Sequence, residues 1–146
     1  MTRVVLDTNA LASGAIAFQG TLASIIDAWR SGEFSLFVSP PILAELERTL
    51  EKSYFRQRLT IEQSSRFIVL LRRRATVSPI TVPVQGVASH PEDDLVLATA
   101  ISANADYLVT GDTQLQQLGQ YEGVAILSPR EFLGRLTPPR SGLPIP

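Results

Sequence analysis

Arg3-Val4-Val5-Leu6-Asp7-Thr8-Asn9 is the stretch on which the reading of this chain turns. A short β-branched apolar run reads as a buried strand, and this one breaks off on an acid. Asp7 therefore stands where a strand delivers its last residue. The segments after it decide the kind of sheet. Residues 21 to 30 put Leu22, Ile25, Ile26 and Trp29 at helical spacing, and Gly32 stops that helix. Phe34 to Val38 read as a second strand. Ser39-Pro40-Pro41 then opens a helix with Leu43, Leu46 and Leu50 in one stripe, proline being tolerated in a first turn.

The alternation continues along the chain. Thr60 to Arg74 predict a helix that runs out into Arg72-Arg73-Arg74. Val77 to Val84 are β-prone but interrupted by Pro79 and Pro83, which predicts an edge or irregular strand. Ser89 and Glu92 stand in capping-box spacing before a helix over Leu95 to Ala103, apolar nearly all round and so expected deep in the core. Tyr107 to Thr110 predict a strand leading through Gly111-Asp112-Thr113 into a short helix. Val124 to Leu127 and Pro129 to Leu136 give a last strand and a last helix. Strands alternating with helices imply one three-layer α/β/α domain on a mostly parallel central sheet, spanning residues 1–136. Residues 137–146, with four prolines, are expected to form a flexible tail.

Composition narrows the chemistry. A chain of 146 residues is one domain's worth of sequence. No cysteine and a single histidine exclude disulfides, zinc–thiolate sites, a cysteine nucleophile and any Cys/His metal cluster. Any metal must be held by oxygen. The first residues lack the apolar core of a signal peptide, and no apolar run is long enough for a membrane span, so a cytoplasmic protein without membrane contacts is expected. The net charge of −1 is unevenly spread: residues 48 to 74 hold eight bases against two acids. Such a segment is either a solvated helix pair or a surface for phosphates, which arginine grips with two donors. Tyr54, Phe55 and Phe67 within it either stack bases or, more simply, pack the core.

In parallel sheets the working site lies beyond the carboxyl ends of the strands. Asp7 ends the first strand, and Asp112 sits two residues past Thr110. Asp93 shares a helical face with Val96, Leu97 and Ala100, and Glu45 lies beside the leucine stripe of its helix. Each acid has a plain structural use: Asp112 as a helix N-cap, Asp93 in favour of a helix dipole, Glu45 as a solvated helix residue. Taken together, four carboxylates crowded at one sheet edge would raise one another's pKa unless a cation offsets them. Oxygen ligands alone select Mg²⁺ or Mn²⁺. The chemistry implied is metal-assisted hydrolysis of a phosphodiester.

Four motifs in this order resemble the PIN-domain ribonucleases, and within them the toxins of toxin–antitoxin pairs. They are Val4-Val5-Leu6-Asp7-Thr8-Asn9, Leu43-Ala44-Glu45-Leu46, Pro91-Glu92-Asp93-Asp94-Leu95-Val96-Leu97-Ala98-Thr99-Ala100 and Ala105-Asp106-Tyr107-Leu108-Val109-Thr110-Gly111-Asp112. The resemblance covers residues 3 to about 133. It implies an acidic quartet of Asp7, Glu45, Asp93 and Asp112, in which Asp7 and Asp93 hold Mg²⁺ or Mn²⁺ most directly and Glu45 and Asp112 complete the shell or a second site. Asn9 and Thr110 match positions that brace the first and last acids. Counting back seven residues from Ala100 selects Asp93, with Asp94 as the alternative, and His90 departs from the acid that relatives often carry there. The resemblance further implies a metal-dependent endoribonuclease acting on single-stranded RNA and leaving 5′-phosphate and 3′-hydroxyl ends, a homodimer, and a small antitoxin partner that blocks the acidic pocket.

Three other readings compete. A receiver-like signalling domain would need a lysine late in the chain, and the only lysine is Lys52. A haloacid-dehalogenase phosphatase would want Asp-x-Asp after the first strand, where residue 9 is Asn. A catalytically inactive PIN-like RNA-binding module is disfavoured by the intact acidic quartet.

Overall fold

The computed structural model describes residues 1–136, so the expected tail over 137–146 lies outside the described residues. The opening apolar run forms β1 (Arg3–Leu6), whose Val4, Val5 and Leu6 are wholly buried. Along the chain come α1 (Thr8–Ile16), α2 (Thr21–Arg30), β2 (Ser35–Val38), α3 (Pro40–Leu50), α4 (Ser53–Arg56), α5 (Ile61–Arg74), β3 (Thr76–Val77), α6 (Pro91–Ser102), β4 (Tyr107–Val109), α7 (Thr113–Gln117), β5 (Gln120–Tyr121), β6 (Val124–Leu127) and α8 (Pro129–Leu136). The six strands form one sheet in the order β3-β2-β1-β4-β6-β5, parallel except where β5 runs against β6. The expected α/β architecture with a mostly parallel sheet is therefore present.

The strand order matters for function. From β1 the chain winds outward through β2 to β3, then returns to lay β4 on the other side of β1. That reversal falls at the carboxyl ends of β1 and β4, which in such sheets is the general place for a crevice and a site. The ladder holds both ends firmly: Asp7 N–H donates to Val109 at 3.1 Å and Thr110 N–H donates to Leu127 at 3.0 Å. Beneath it α6 packs on β1, β2 and β4, and α8 packs on β4, β6 and α2. Phe132 of α8 is fully buried and meets Phe34 edge-on, with ring centroids 5.2 Å apart.

Several local expectations are corrected. The sequence pattern does not announce α1, because Asp7 reads only as a strand end; its side chain also caps this helix by accepting from Ala10 N–H at 2.8 Å. Gly14 lets α1 and α2 approach closely, since a Cβ there would lie 2.9 Å from Ile26 Cγ1. The edge strand expected over Val77 to Val84 shrinks to Thr76–Val77, the prolines leaving the rest irregular. The Ser89/Glu92 capping box does not form. His90 is the N-cap, Pro91 occupies the first turn and no side chain caps the helix. α6 thus starts earlier than Leu95, and Leu95 itself faces solvent, so the helix is not buried all round. A genuine capping box lies elsewhere, between Thr60 and Gln63 at the start of α5.

Candidate metal and active site

Thr110 organises the crevice. It is fully buried, its hydroxyl donates to Asp7 Oδ2, and the same oxygen accepts Asp112 N–H at 3.0 Å. One hydroxyl therefore ties the acid that ends β1 to the acid that comes after β4. Gln116 Nε2 donates to the Thr110 carbonyl at 2.7 Å and fixes this turn from α7. No sequence signal points to Gln116, whose role depends on how α7 folds back. Asn9, named beside Thr110 as a bracing residue, is exposed, and its side chain makes no hydrogen bond among the described residues.

Asp112 caps α7, its Oδ1 accepting Gln114 N–H at 2.8 Å and Leu115 N–H at 3.1 Å. The plain use of this residue and a chemical one are compatible, because Oδ2 is left over. Asp7 is buried, and burial raises its pKa; the hydrogen bonds from Thr110 and Ala10 work against the rise, and the charge of Asp112 adds to it. Asp93, half-buried in the first turn of α6, is also raised, first by burial, then by Asp112, with smaller contributions from Asp7 and Glu92 opposed by His90. The charge of Asp112 thus disfavours the ionised form of both Asp7 and Asp93.

The neighbouring acid is used differently. Asp94 is buried and spends its carboxylate on a loop, accepting Gly86 N–H at 2.9 Å, Val87 N–H at 3.2 Å and Ala88 N–H at 2.8 Å. Asp93 makes no such bonds. The structure thus separates the two adjacent acids: Asp94 is spent on the loop, and the Asp93 carboxylate is left without a hydrogen bond among the described residues and under the charge of Asp112 and Asp7. Glu45 is paired on its own helix, where Arg48 holds its Oε2 at 2.7 Å. Charge influence thus links Asp7, Asp93 and Asp112, while Glu45 is engaged by Arg48. Among the described residues no three His, Asp or Glu side chains are already drawn close enough to cage an ion. The donor set is nevertheless oxygen only, and its mutual repulsion is what a hard divalent cation would relieve.

His90 is an exposed N-cap residue. Lys52 is exposed just before α4, far along the chain from either strand of the crevice, which leaves the receiver-like reading without its lysine. The arginine triplet divides: Arg72 pairs with Glu47 at 3.1 Å, and Arg74 donates to the Arg30 carbonyl at 2.8 Å. Phe55 and Phe67 pack against the core, while Tyr54 is exposed beneath the Arg58 guanidinium, 3.7 Å from its ring centroid. Among the described residues no single helix is long and apolar enough to cross a membrane.

Comparison with known proteins agrees with this fold. The fold is similar to that in VapBC2 from Rickettsia felis, solved bound to a DNA fragment from their promoter, with a TM-score of 0.62 and 16% identity over 87% of this chain and 98% of that one. It is equally similar to PAE2754 from Pyrobaculum aerophilum, with a TM-score of 0.62 and 20% identity over 92% of this chain and 89% of that one. No curated protein sequence matches the chain. A family model described as PIN domain matches residues 3–114, from the strand before Asp7 through the turn that carries Asp112, and the chain belongs to that family.

Proposed function

We propose that the chain is an endoribonuclease that depends on Mg²⁺ or Mn²⁺, and that it acts in the cytoplasm as the toxin of a toxin–antitoxin pair. The observation that carries this reading is the trio of Asp7, Asp93 and Asp112 at the reversal of strand order, two of them tied by Thr110. These three would hold the cation. Glu45 would complete the set after leaving Arg48, an exposed pair whose loss costs only about 0–1 kcal/mol. What a bound divalent cation supplies is Lewis acidity, which eases deprotonation of water and offsets charge on a phosphoryl group.

The chain's own groups do the rest. Thr110 and the Ala10 amide keep Asp7 in one orientation while it is ionised, so the acid need not reorganise during the reaction. The Asp112 backbone is fixed by Thr110 and its Oδ1 by two amides, which aims the free oxygen. Asp94, by stapling residues 86–88, holds the loop that leads into α6 and hence the turn bearing Asp93. A single-stranded RNA phosphate would be repelled by this crevice unless a cation were present, which makes cleavage strictly metal-dependent. The same charge supports a partner that inserts a cationic side chain to block it, as an antitoxin would. Likeness to the promoter-bound VapBC2 assembly supports the pairing, and a homodimer is part of the same proposal.

Incubation with single-stranded RNA tests the reading. We expect products with 5′-phosphate and 3′-hydroxyl ends in Mg²⁺ or Mn²⁺ and none in chelator. Cleavage in chelator that leaves 2′,3′-cyclic phosphates would replace the metal mechanism with another. For the toxin assignment, expression should arrest bacterial growth, and the product of an adjacent small gene should relieve it.

A further inference from the structure

We propose that a groove between the far end of α1 and the face of α5 is a second binding surface, for the phosphate backbone of single-stranded RNA. The groove has a volume of about 670 Å³, and Arg30, Arg58, Arg66, Arg73 and Arg74 line it without a single Asp or Glu. All five arginines are exposed. Arg58 and Arg74 give hydrogen bonds to the carbonyls of Tyr54 and Arg30, which orient the guanidinium groups and leave their charge uncompensated. Arg66 and Arg73 have no ion pair or side-chain hydrogen bond with the described residues. In a chain whose net charge is −1, such a gathering is not a by-product of a basic composition. A concave surface of one sign concentrates its counter-ion, here an anionic polymer.

Three features select RNA over an acidic peptide. The arginines are spread along α5, across to the end of α2 and onto the segment between α4 and α5, as a run of phosphates requires, and each can fork onto phosphate oxygens. Phe18, at the lip of the groove, is 99% exposed, with Phe67 further in, which offers a bare ring for base stacking. Lastly, the groove shares α1 with the acidic crevice: Asp7 caps this nine-residue helix, and Ala15 and Ile16 at its other end line the groove. At ~1.5 Å per residue the two ends lie roughly 13 Å apart. About four stacked nucleotides at ~3.4 Å each span that distance. A strand that followed α1 from the acids would bring its next few phosphates to the end of the helix that borders the groove, where the arginines would supply the attraction that the acids lack. The choice of ligand rests on the nuclease reading above.

Binding of a fluorescein-labelled 12-nucleotide single-stranded RNA, followed by anisotropy in chelator so that nothing is cut, tests the groove by itself. In the double variant Arg66→Gln/Arg73→Gln we expect Kd to rise at least tenfold at low salt. The slope of log K against log salt should fall by about 1.4, at ~0.7 per lost phosphate contact. Phe18→Ala should weaken binding without changing the slope. Equal affinity and slope in wild type and the double variant would overturn the inference, as would binding of an acidic Glu/Leu peptide where RNA fails to bind. RNA held by the groove yet never cut in Mg²⁺ or Mn²⁺ would sink the nuclease reading and leave the groove standing. Metal-dependent cutting with unaltered binding in the double variant would do the reverse.

Discussion

At Asp7 the structural use of a carboxylate is set against its chemical use. The two hydrogen bonds it accepts favour the ion, whereas burial and Asp112 disfavour it, and burial wins. A pKa raised on folding means that ionised Asp7 costs stability. The penalty is absent below the unfolded pKa, grows as pH rises through the raised folded value, and is fully present near neutrality. Asp7→Asn keeps a good N-cap and removes the charge. In chelator its Tm should therefore exceed that of the wild type at pH 7.5, with the gap closing towards pH 4, as measured by calorimetry. Added Mn²⁺ should raise the Tm of the wild type only.

The same directions set the pH profile of cleavage. On the proposed mechanism Asp7 and Asp93 ionise to bind the cation, so the acid limb should lie above the ordinary aspartate range and move to lower pH as metal concentration rises. Thr110→Val, which cuts the tie between Asp7 and Asp112, should lower activity or metal affinity about 10- to 100-fold. At this scale the sequence yields Asp7, Asp93 and Asp112 from strand ends and helical spacing. It cannot separate Asp93 from Asp94 by residue type. Only the path of residues 86–88 around the Asp94 carboxylate does that.

Among the elements, α6 depends on that loop as much as on its own sequence. Asp94→Ala would leave three backbone donors without their charged acceptor. It should cost about 1.5–3 kcal/mol, and hydrogen exchange should speed up at Gly86, Val87 and Ala88. A negligible change in both would show that the loop is held by other means. Thr60→Ala should cost about 1 kcal/mol through loss of the α5 capping box. Apolar periodicity makes α2, α3 and α5 legible, and short apolar runs do the same for β1, β2 and β6. α1 is hidden because Ala10, Leu11, Ala12 and Gly14 carry little periodic contrast, and its cap doubles as a strand end. The Ser89/Glu92 spacing misleads because Pro91, free of an N–H to donate, moves the helix start one residue along.

For the molecule as a whole, the site exists because the strand order reverses between β1 and β4. Neither strand shows this by itself; only the return of the chain after β3 brings Thr110 beside Asp7. The helices keep that junction from spreading, and Phe132 anchors α8 against Phe34 and Tyr107. Phe132→Ala should cost about 3–5 kcal/mol by chemical denaturation. Net charge, the coarsest whole-chain quantity, conceals an acidic crevice and an arginine groove at opposite ends of one helix.

Whether the acidic trio carries the chemistry is decided by the cleavage rate of single-stranded RNA in Mn²⁺ for the wild type, Asp7→Asn and Asp93→Asn, each shown to be folded by circular dichroism. At least a 100-fold loss is expected in either variant, the scale seen when a group that stabilises developing charge is removed. Undiminished cleavage by folded Asp7→Asn and Asp93→Asn would rule the trio out as the seat of catalysis.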